Sequence, residues 1–259
     1  MSPAPGNPAP LRLLQFTDLH LTAEADGTVR GVATQDSFRR CLDHARRNHY
    51  PADALLLTGD LVQDDARAYR VLAGLLAGES VPVHCIPGNH DVTGEMPGPL
   101  GEAPFDLSPV VQYGPWILLL LDSATPGVHA GTLSPDTLDS VEDALARFPD
   151  SHALVVLHHQ PVPVGSSWLD SIGLREGEAL MERLRRHENV RGVLWGHIHQ
   201  AFDAMDDGTV LMGTPSTCFQ FVPGDDFGVD TRPPGYRRLA LHADGRIESE
   251  VVWLQEPSP

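Results

Sequence analysis

Short apolar segments alternate with amphipathic segments along most of this chain of 259 residues. The apolar segments have the length of buried strands, and the segments between them carry apolar residues at helical spacing. Strands that alternate with helices in this way form largely parallel sheets with helices packed on their faces. The predicted buried strands lie at residues 11–16, 54–57, 81–86, 116–121, 153–157 and 192–195.

Amphipathic helices are predicted between these strands, at residues 34–47, 64–77, 134–148 and 176–187. The helix at 134–148 has the clearest start, because Ser134 can cap it and Pro135 suits its first position. The pattern predicts an α/β fold with four layers, α-β-β-α, in which two stacked mixed sheets are flanked by helices.

The last part of the chain has a different pattern. Predicted strands at residues 209–212, 236–241 and 247–254 indicate a strand meander, and Asp244-Gly245 marks a hairpin turn between the last two. Two stretches rich in Pro, Gly and acidic residues, at 93–115 and 222–235, are predicted to be long loops. We expect one domain over residues 11–254, preceded by a disordered segment at 1–10 and followed by a short tail at 255–259.

The composition excludes several classes of protein. A formal net charge of −17 with scattered arginines argues against a nucleic-acid-binding surface. No stretch has the apolar length of a membrane span, and the Pro-rich start lacks the apolar run of a secretory signal, so a cytoplasmic location is expected. The three cysteines lack paired spacing and are expected to be buried and free.

Five predicted strands each end in a group of polar residues that are able to bind a metal ion. These groups are Asp18 with His20, then Asp60, Asn89-His90-Asp91, His158-His159, and His197 with His199. Open α/β sheets gather the residues that follow their strands at one edge, so the five groups are expected to converge. Imidazole and carboxylate ligands suit first-row transition metals such as manganese, iron and zinc.

Two of these groups have alternating residues. In Asp18-Leu19-His20 and His197-Ile198-His199, the two-residue period of a strand lets both ligands face one side while the middle residue faces the core. His159 is expected to shape the strand end rather than bind metal, because adjacent strand residues point to opposite faces. The other histidines, among them His129, lack ligand neighbours and are expected to be surface or hydrogen-bonded residues.

The order of the five groups resembles the signature of the calcineurin-like metallophosphoesterases, which runs Asp-x-His, Gly-Asp, Gly-Asn-His-(Asp/Glu), His, Gly-His-x-His. Every part of that signature is present in this chain. The resemblance implies that Asp60 bridges two transition-metal ions, iron together with manganese or zinc. It assigns one ion to Asp18, His20, Asp60 and His199, and the other to Asp60, Asn89, His158 and His197.

Segments outside the ligands are similar to the bacterial class III cyclic-nucleotide phosphodiesterases of the cyclic-AMP type, at residues 165–170, 214–221 and 234–237. This likeness implies that a metal-bridging hydroxide hydrolyses 3′,5′-cyclic AMP to 5′-AMP. His90 would protonate or hydrogen-bond the leaving oxygen, and Asp91 would orient the His90 imidazole; the alternative for His90 is a hydrogen-bonding group that does not contact the substrate. The expected partner is therefore a small cyclic nucleotide, and the oligomeric state stays open.

The same likeness suggests which residues contact the substrate. Its phosphate is expected to lie against His20, Asp60, Asn89, His90 and His199. Trp168, Phe219 and Phe221 are candidates for an apolar wall beside the base, and the alternative is that they are core residues.

Two other functions fit the same motifs. The first is a different metallophosphoesterase, such as a broad diesterase, a 2′,3′-cyclic-nucleotide or phospholipid diesterase, or a monoester phosphatase. The second is a non-catalytic scaffold of the same fold, which the complete ligand set disfavours because sites rather than folds carry function.

Overall fold

The computed structural model of the protein describes residues 8–255. Residues 1–7 and 256–259, which include most of the predicted N-terminal segment and tail, lie outside this range. The strands are β1 (Leu11–Phe16), β2 (Thr28–Val29), β3 (Val32–Ala33), β4 (Ala54–Thr58), β5 (Val83–Ile86), β6 (Phe105–Asp106), β7 (Val110–Tyr113), β8 (Trp116–Leu120), β9 (His152–Val156), β10 (Val190–Trp195), β11 (Phe202–Asp206), β12 (Thr209–Gly213), β13 (Gln220–Phe221), β14 (Val229–Asp230), β15 (Gly235–Leu241) and β16 (Ile247–Trp253). The helices are α1 (Thr34–Asn48), α2 (Ala68–Leu76), α3 (Pro97–Leu100), α4 (Pro135–Arg147), α5 (Ser167–Asp170) and α6 (Gly177–Leu184).

The strands form two six-stranded sheets with parallel centres and antiparallel edges. The first sheet has the order β16-β15-β1-β4-β5-β6, in which β1, β4, β5 and β6 are parallel. The second has the order β11-β12-β10-β9-β8-β7, in which β12, β10, β9 and β8 are parallel. The predicted mixed sheets are therefore confirmed.

Successive residues along each central strand face alternately the helices outside the sheet and the other sheet inside. In β1, Leu14 and Phe16 pack with Phe38 of α1 on the outer face of the first sheet. Leu13 packs on the inner face with side chains of the second sheet such as Leu118. Helices α4 and α6 pack on the outer face of the second sheet. This arrangement confirms the predicted four layers, with one core between the sheets and one beneath each layer of helices.

The predicted loop at residues 93–115 is wrong in part. It contains a 3-10 turn at Thr93–Glu95, the short helix α3, and the edge strands β6 and β7. These strands are short, and the side chains of β7 alternate between exposed and half-buried positions, so they lack the apolar run that marks a central strand. The predicted loop at 222–235 likewise contains β14, which pairs with β13.

Two further expectations can be checked over residues 8–255. Cys41, Cys85 and Cys218 are buried and free, as predicted. Within that range the structure contains no helix with the length and apolar character needed to cross a membrane.

The buried side chain of Arg237 joins the two sheets. Arg237 lies on β15 of the first sheet and is 1% exposed. Its guanidinium donates hydrogen bonds to the carbonyl oxygens of Phe202 (3.3 Å) and Gly213 (2.9 Å), which belong to the second sheet, and to the Thr214 hydroxyl (3.1 Å). It also pairs with the exposed Asp203 carboxylate at 2.7 Å. A buried guanidinium with this many acceptors fixes the position of one sheet against the other.

Arg237→Met should lower the free energy of unfolding by about 3 kcal/mol or more, because it leaves buried acceptors unpaired. Arg238→Met is the matched control, since Arg238 is the next residue of β15 and forms an exposed pair with Glu250. That control should cost less than about 1 kcal/mol. Denaturant unfolding of the metal-free proteins measures both values, and equal losses would contradict the assigned role of Arg237.

Candidate metal centre

The polar groups that follow the strands of both sheets meet at one edge of the molecule. Ligand atoms of Asp18, His20 and His199 lie within 4.8 Å of one another, as do those of Asp18, Asp60 and His158. The first sheet supplies Asp18, His20 and Asp60, and the second supplies the other histidines of these groups. The predicted convergence of the strand ends is confirmed.

The backbone is left-handed at many of the candidate ligands. Positive φ values between 47° and 64° occur at Asp18, His20, Asp60, His197 and His199. Residues other than glycine rarely adopt this conformation, and it costs about 1–3 kcal/mol at each position. Such strain is typical of functional sites whose surroundings hold the side chains in place.

This backbone changes the explanation for the alternating ligand pairs. Strand β1 ends at Phe16 and β10 ends at Trp195, so both pairs lie beyond their strands. The middle residues Leu19 and Ile198 are buried, as predicted. The ligands of each pair share a side because the turn after each strand is left-handed. The expected extended geometry is therefore wrong at these positions, although the expected side-chain directions are right.

Two glycines leave room for the ligands. A Cβ atom on Gly88 would lie 2.3 Å from Oδ1 of Asp60, and one on Gly59 would lie 2.3 Å from Nδ1 of His158. Real side chains do not approach this closely. Glycine is therefore required wherever the loop backbone passes directly against a ligand.

Two imidazoles face each other at one end of the centre. His199 donates from Nδ1 to the Phe219 carbonyl (2.6 Å), and Nδ1 of His20 lies 2.9 Å from the Gln63 side-chain oxygen. Both rings therefore present the lone pair of Nε2 to the centre, and the two Nε2 atoms are 3.2 Å apart. Oδ1 of Asp18 lies 3.2 Å from Nε2 of His199. Converging lone pairs beside a carboxylate repel one another unless a cation lies among them.

Burial lowers the pKa of His20 to about 4, so this imidazole is neutral at pH 7. A neutral imidazole is the form that coordinates a metal ion. This end of the centre therefore fits a cation.

The other end of the centre is built around His158. Its Nδ1 donates to the Thr58 carbonyl (2.9 Å), which directs Nε2 toward the side-chain oxygen of Asn89 at 3.3 Å. Nearby, Nε2 of His197 is buried without a hydrogen-bond partner among residues 8–255. A buried polar atom of this kind normally has a partner, and a bound ion would complete this end of the centre.

The charge of His158 depends on its carboxylate neighbour. Burial alone would lower the pKa of His158, but the Asp60 carboxylate outweighs burial and raises the pKa to about 9. A metal ion bound here would take the place of that proton, because a coordinating imidazole must be neutral.

Asp60 lies between the two ends. Its Oδ2 is 3.7 Å from Nε2 of His20, and its Oδ1 is 3.5 Å from Nε2 of His158. Burial opposes ionisation of Asp60, but His158 and His20 overcome this and hold its pKa well below the usual value. The backbone N–H of His90 also donates to Oδ1 at 2.8 Å. A charged carboxylate in this position can contact a cation on either side.

His90 lies beside the centre and contacts a different acid from the one predicted. Both carboxylate oxygens of Asp64 are 3.1 Å from Nδ1 of His90. Asp91 instead accepts hydrogen bonds from the backbone N–H groups of Leu61 (3.0 Å) and Gly88 (2.8 Å). The predicted contact between Asp91 and the His90 imidazole is therefore wrong, because the Asp91 side chain turns inward and joins two ligand loops.

His159 keeps both ring nitrogens occupied. Nδ1 lies 2.8 Å from the Ser123 hydroxyl, and Nε2 lies 3.1 Å from the His129 carbonyl. The ring is close to that of His197, at 4.6 Å between centroids, but its nitrogens already have partners. Burial lowers the pKa of His159 to about 3, so it is neutral. These contacts support a shaping role, although the ring lies beside the ligands rather than on the opposite face.

An open cavity of about 630 Å³ gives access to the centre. Its walls include four residues that the sequence analysis did not assign to a site: Arg30, Gln63, His129 and Phe227. Gln63 contacts both His20 and His90. His129 is exposed, and its Nδ1 lies 3.4 Å from the Asn89 amide nitrogen, which corrects the expectation that it lacks ligand neighbours. Gln63 lies beyond Asp60 in the loop that follows β4, and the other three lie farther from the ends of the central strands, so strand-end spacing did not identify them.

Comparisons with known proteins agree with this geometry. The 3′,5′-cyclic adenosine monophosphate phosphodiesterase CpdA of Escherichia coli (strain K12) is 41% identical over 251 residues, covering 96% of this chain and 91% of that protein. The CpdA of Haemophilus influenzae is 39% identical over 249 residues, covering 95% of this chain and 91% of that protein.

Solved structures with low sequence identity share the fold. A dimetal phosphatase from Danio rerio aligns with a TM-score of 0.64 at 17% identity, covering 94% of this chain and 99% of that one. A purple acid phosphatase from yellow lupin aligns with a TM-score of 0.65 at 16% identity, covering 97% of this chain and 55% of that one.

A family model described as calcineurin-like phosphoesterase matches residues 11–201, which contain all of the candidate ligands. With that match and relatives of this similarity over nearly its whole length, the chain belongs to the calcineurin-like phosphoesterase family.

Proposed function

We propose that this protein hydrolyses 3′,5′-cyclic AMP to 5′-AMP in a reaction that depends on two metal ions. The observation that carries the proposal is the position of Asp60 between two sets of imidazoles, with carboxylate–imidazole distances of 3.7 Å and 3.5 Å. The choice of substrate follows the relatives, which are 3′,5′-cyclic adenosine monophosphate phosphodiesterases 39–41% identical over 95–96% of the chain.

The family implies divalent metal ions, and the His/Asp groups of this chain fit them. We assign one ion to Asp18, His20, Asp60 and His199, and the other to Asp60, Asn89, His158 and His197. The ligands are imidazole, carboxylate and amide, a set that suits iron together with manganese or zinc. When bound, the ions supply an activated water and neutralise the charge of the phosphate. This local positive charge lets a protein of net charge −17 bind an anion.

The residues of the chain then position the substrate. His20, Asp60, Asn89, His90 and His199 line the cavity, and we assign to them the contacts with the substrate phosphate. The Asp64 carboxylate accepts the Nδ1 proton of His90, at 3.1 Å, and leaves Nε2 as the nitrogen that exchanges a proton with the substrate. We assign to His90 the protonation of the leaving 3′ oxygen. Asp91 contributes indirectly, because its hydrogen bonds fix the loops that carry the ligands.

A substrate panel tests the proposed activity. After chelation and reconstitution with measured iron, manganese and zinc, the protein should hydrolyse 3′,5′-cyclic AMP faster than 2′,3′-cyclic AMP or an aryl monoester. The chelated protein should be inactive, since the activated water requires the ions. Activity confined to the monoester would contradict the choice of substrate. Absence of activity with every metal would favour a scaffold.

Replacement of the shared ligand tests the assignment of the ions. Asp60→Asn should remove metal from both positions, whereas His197→Ala should remove it from one. The kcat/KM of Asp60→Asn should fall at least about a hundredfold, because loss even of groups that only orient metal ligands costs about 10–100-fold. Asp65→Asn is the control, since Asp65 pairs only with Arg67 on the surface among the described residues. Two ions retained in Asp60→Asn would rule out the bridge.

A leaving-group comparison tests the role of His90. His90→Ala should lower kcat for cyclic AMP by about 10²–10⁴-fold with metal content intact, the usual contribution of a general acid. The loss should be smaller for an aryl diester, whose phenolate leaves without protonation. Asp64→Asn should give a smaller loss of about tenfold and should shift the pH profile. If His90→Ala slows both substrates equally, His90 is not the acid.

A further inference from the structure

An aromatic wall of three side chains lines part of the cavity. Trp168 contacts Phe221 and Phe227 edge-to-face, with ring centroids 4.9 Å and 5.3 Å apart. Phe221 and Phe227 are themselves 5.6 Å apart. All three side chains line the same cavity as the candidate metal ligands. The wall confirms that Trp168 and Phe221 face a cavity, and it adds Phe227, which the sequence analysis placed in a loop.

Phe227 differs from the other two aromatic residues because it is exposed. Its side chain is 52% exposed, although large apolar side chains of this kind are usually buried. It lies between β13 and β14, at the mouth of the cavity. Phe227 extends the apolar surface of the half-buried Trp168 and Phe221, and a contiguous apolar patch of this kind is typical of a ligand-binding surface.

Arg30 packs over the ring of Phe227. Arg30 follows β2, and its guanidinium carbon lies 4.9 Å from the centre of the Phe227 ring. A guanidinium over an aromatic face is an attractive cation–π contact. Arg30 is also the only arginine among the described residues that line this cavity. The pair therefore joins the hairpin of β2 and β3 to the hairpin of β13 and β14.

The aromatic wall is continuous with the candidate metal ligands. Phe221 packs against the imidazole of His199, with ring centroids 4.4 Å apart, and Phe227 packs against Phe221. Only one ring thus separates a metal ligand from Phe227. A phosphate at the centre leaves a group attached through its ribose close to the wall.

We propose that Phe227, held by Arg30, is the surface on which the base of the cyclic nucleotide packs, and that it determines the preference for nucleosides over base-free phosphodiesters. This inference rests on the proposed function. Bases stack on aromatic side chains through faces that every base presents, and alanine substitution of such platforms weakens binding by roughly 5–150-fold per base. Phe227 acts through affinity for the base, whereas Arg30 acts as a positioning residue for the Phe227 ring.

The test compares two substrates that differ only in the base. Wild-type and variant proteins are assayed with 3′,5′-cyclic AMP and with methyl riboside 3′,5′-cyclic phosphate, which keeps the cyclic diester and lacks the base. Phe227→Ala should lower the preference for cyclic AMP by about tenfold, mostly through KM. Phe227→Leu, which keeps an apolar side chain without a π face, should lose the preference as well, and Phe227→Tyr should retain it.

Val229→Ala is the matched control, because Val229 lies on the same hairpin, is 43% exposed and does not line the cavity. It should behave as the wild type. Calorimetric binding of a slowly hydrolysed phosphorothioate analogue of cyclic AMP gives a second readout, and its affinity should fall in Phe227→Ala by the same factor as KM rises.

The outcomes separate this inference from the proposed function. If the wild type hydrolyses cyclic AMP and Phe227→Ala keeps the wild-type preference, the base surface is overturned and the proposed function stands. If the wild type hydrolyses only the base-free diester, or neither substrate, both are overturned. Equal effects of Phe227→Ala and Val229→Ala would also overturn the assignment, because they would show a general effect of the hairpin.

Discussion

The carboxylate of Asp60 is the point at which the two halves of the protein meet. It follows β4 of the first sheet, and the imidazole of His158 on one side of it follows β9 of the second. The 3.5 Å distance to His158 exists only while the sheets remain stacked in one position, whereas the 3.7 Å distance to His20 joins two loops of the first sheet. The core between the sheets and the buried polar contacts across it therefore keep the ligands of the two sheets close to one another. One such contact is the amide of Gln15 on β1, which donates to the Trp195 carbonyl of β10 at 3.1 Å.

The site opposes folding in two ways that its surroundings offset. Left-handed backbone at five candidate ligands and buried carboxylates both raise the free energy of the folded chain. Hydrogen bonds fix the turns despite this cost: the Asp18 carboxylate accepts from the backbone N–H of His197, and the Asp91 carboxylate accepts from Gly88. Bound cations would neutralise the remaining charge, so we expect ion binding and the folded loops to stabilise each other.

Much of the fold and most of the site could be predicted from the sequence, for physical reasons that particular elements illustrate. Central strands such as β4 are buried on both faces and therefore appear as apolar runs, and α4 begins at a Ser134 cap that accepts from the backbone N–H of Thr137. Edge strands such as β7 are half-exposed and carry no such signal. The ligands could be found because they follow central strands. The contacts of Asp64 and Gln63 with His90, and the position of Phe227 in the cavity, could not be found because they depend on how separate loops pack against one another. Asp91 is predicted as the neighbour of the His90 imidazole only because the two residues are adjacent in the chain.

Anomalous X-ray diffraction at the absorption edges of iron, manganese and zinc tests the central claim most directly, because it locates each ion independently of activity. We predict two peaks that flank the Asp60 carboxylate, one beside His20 and His199 and the other beside His158 and His197. A single peak in fully reconstituted protein, or two peaks of which only one contacts Asp60, would contradict the bridging role on which this account depends.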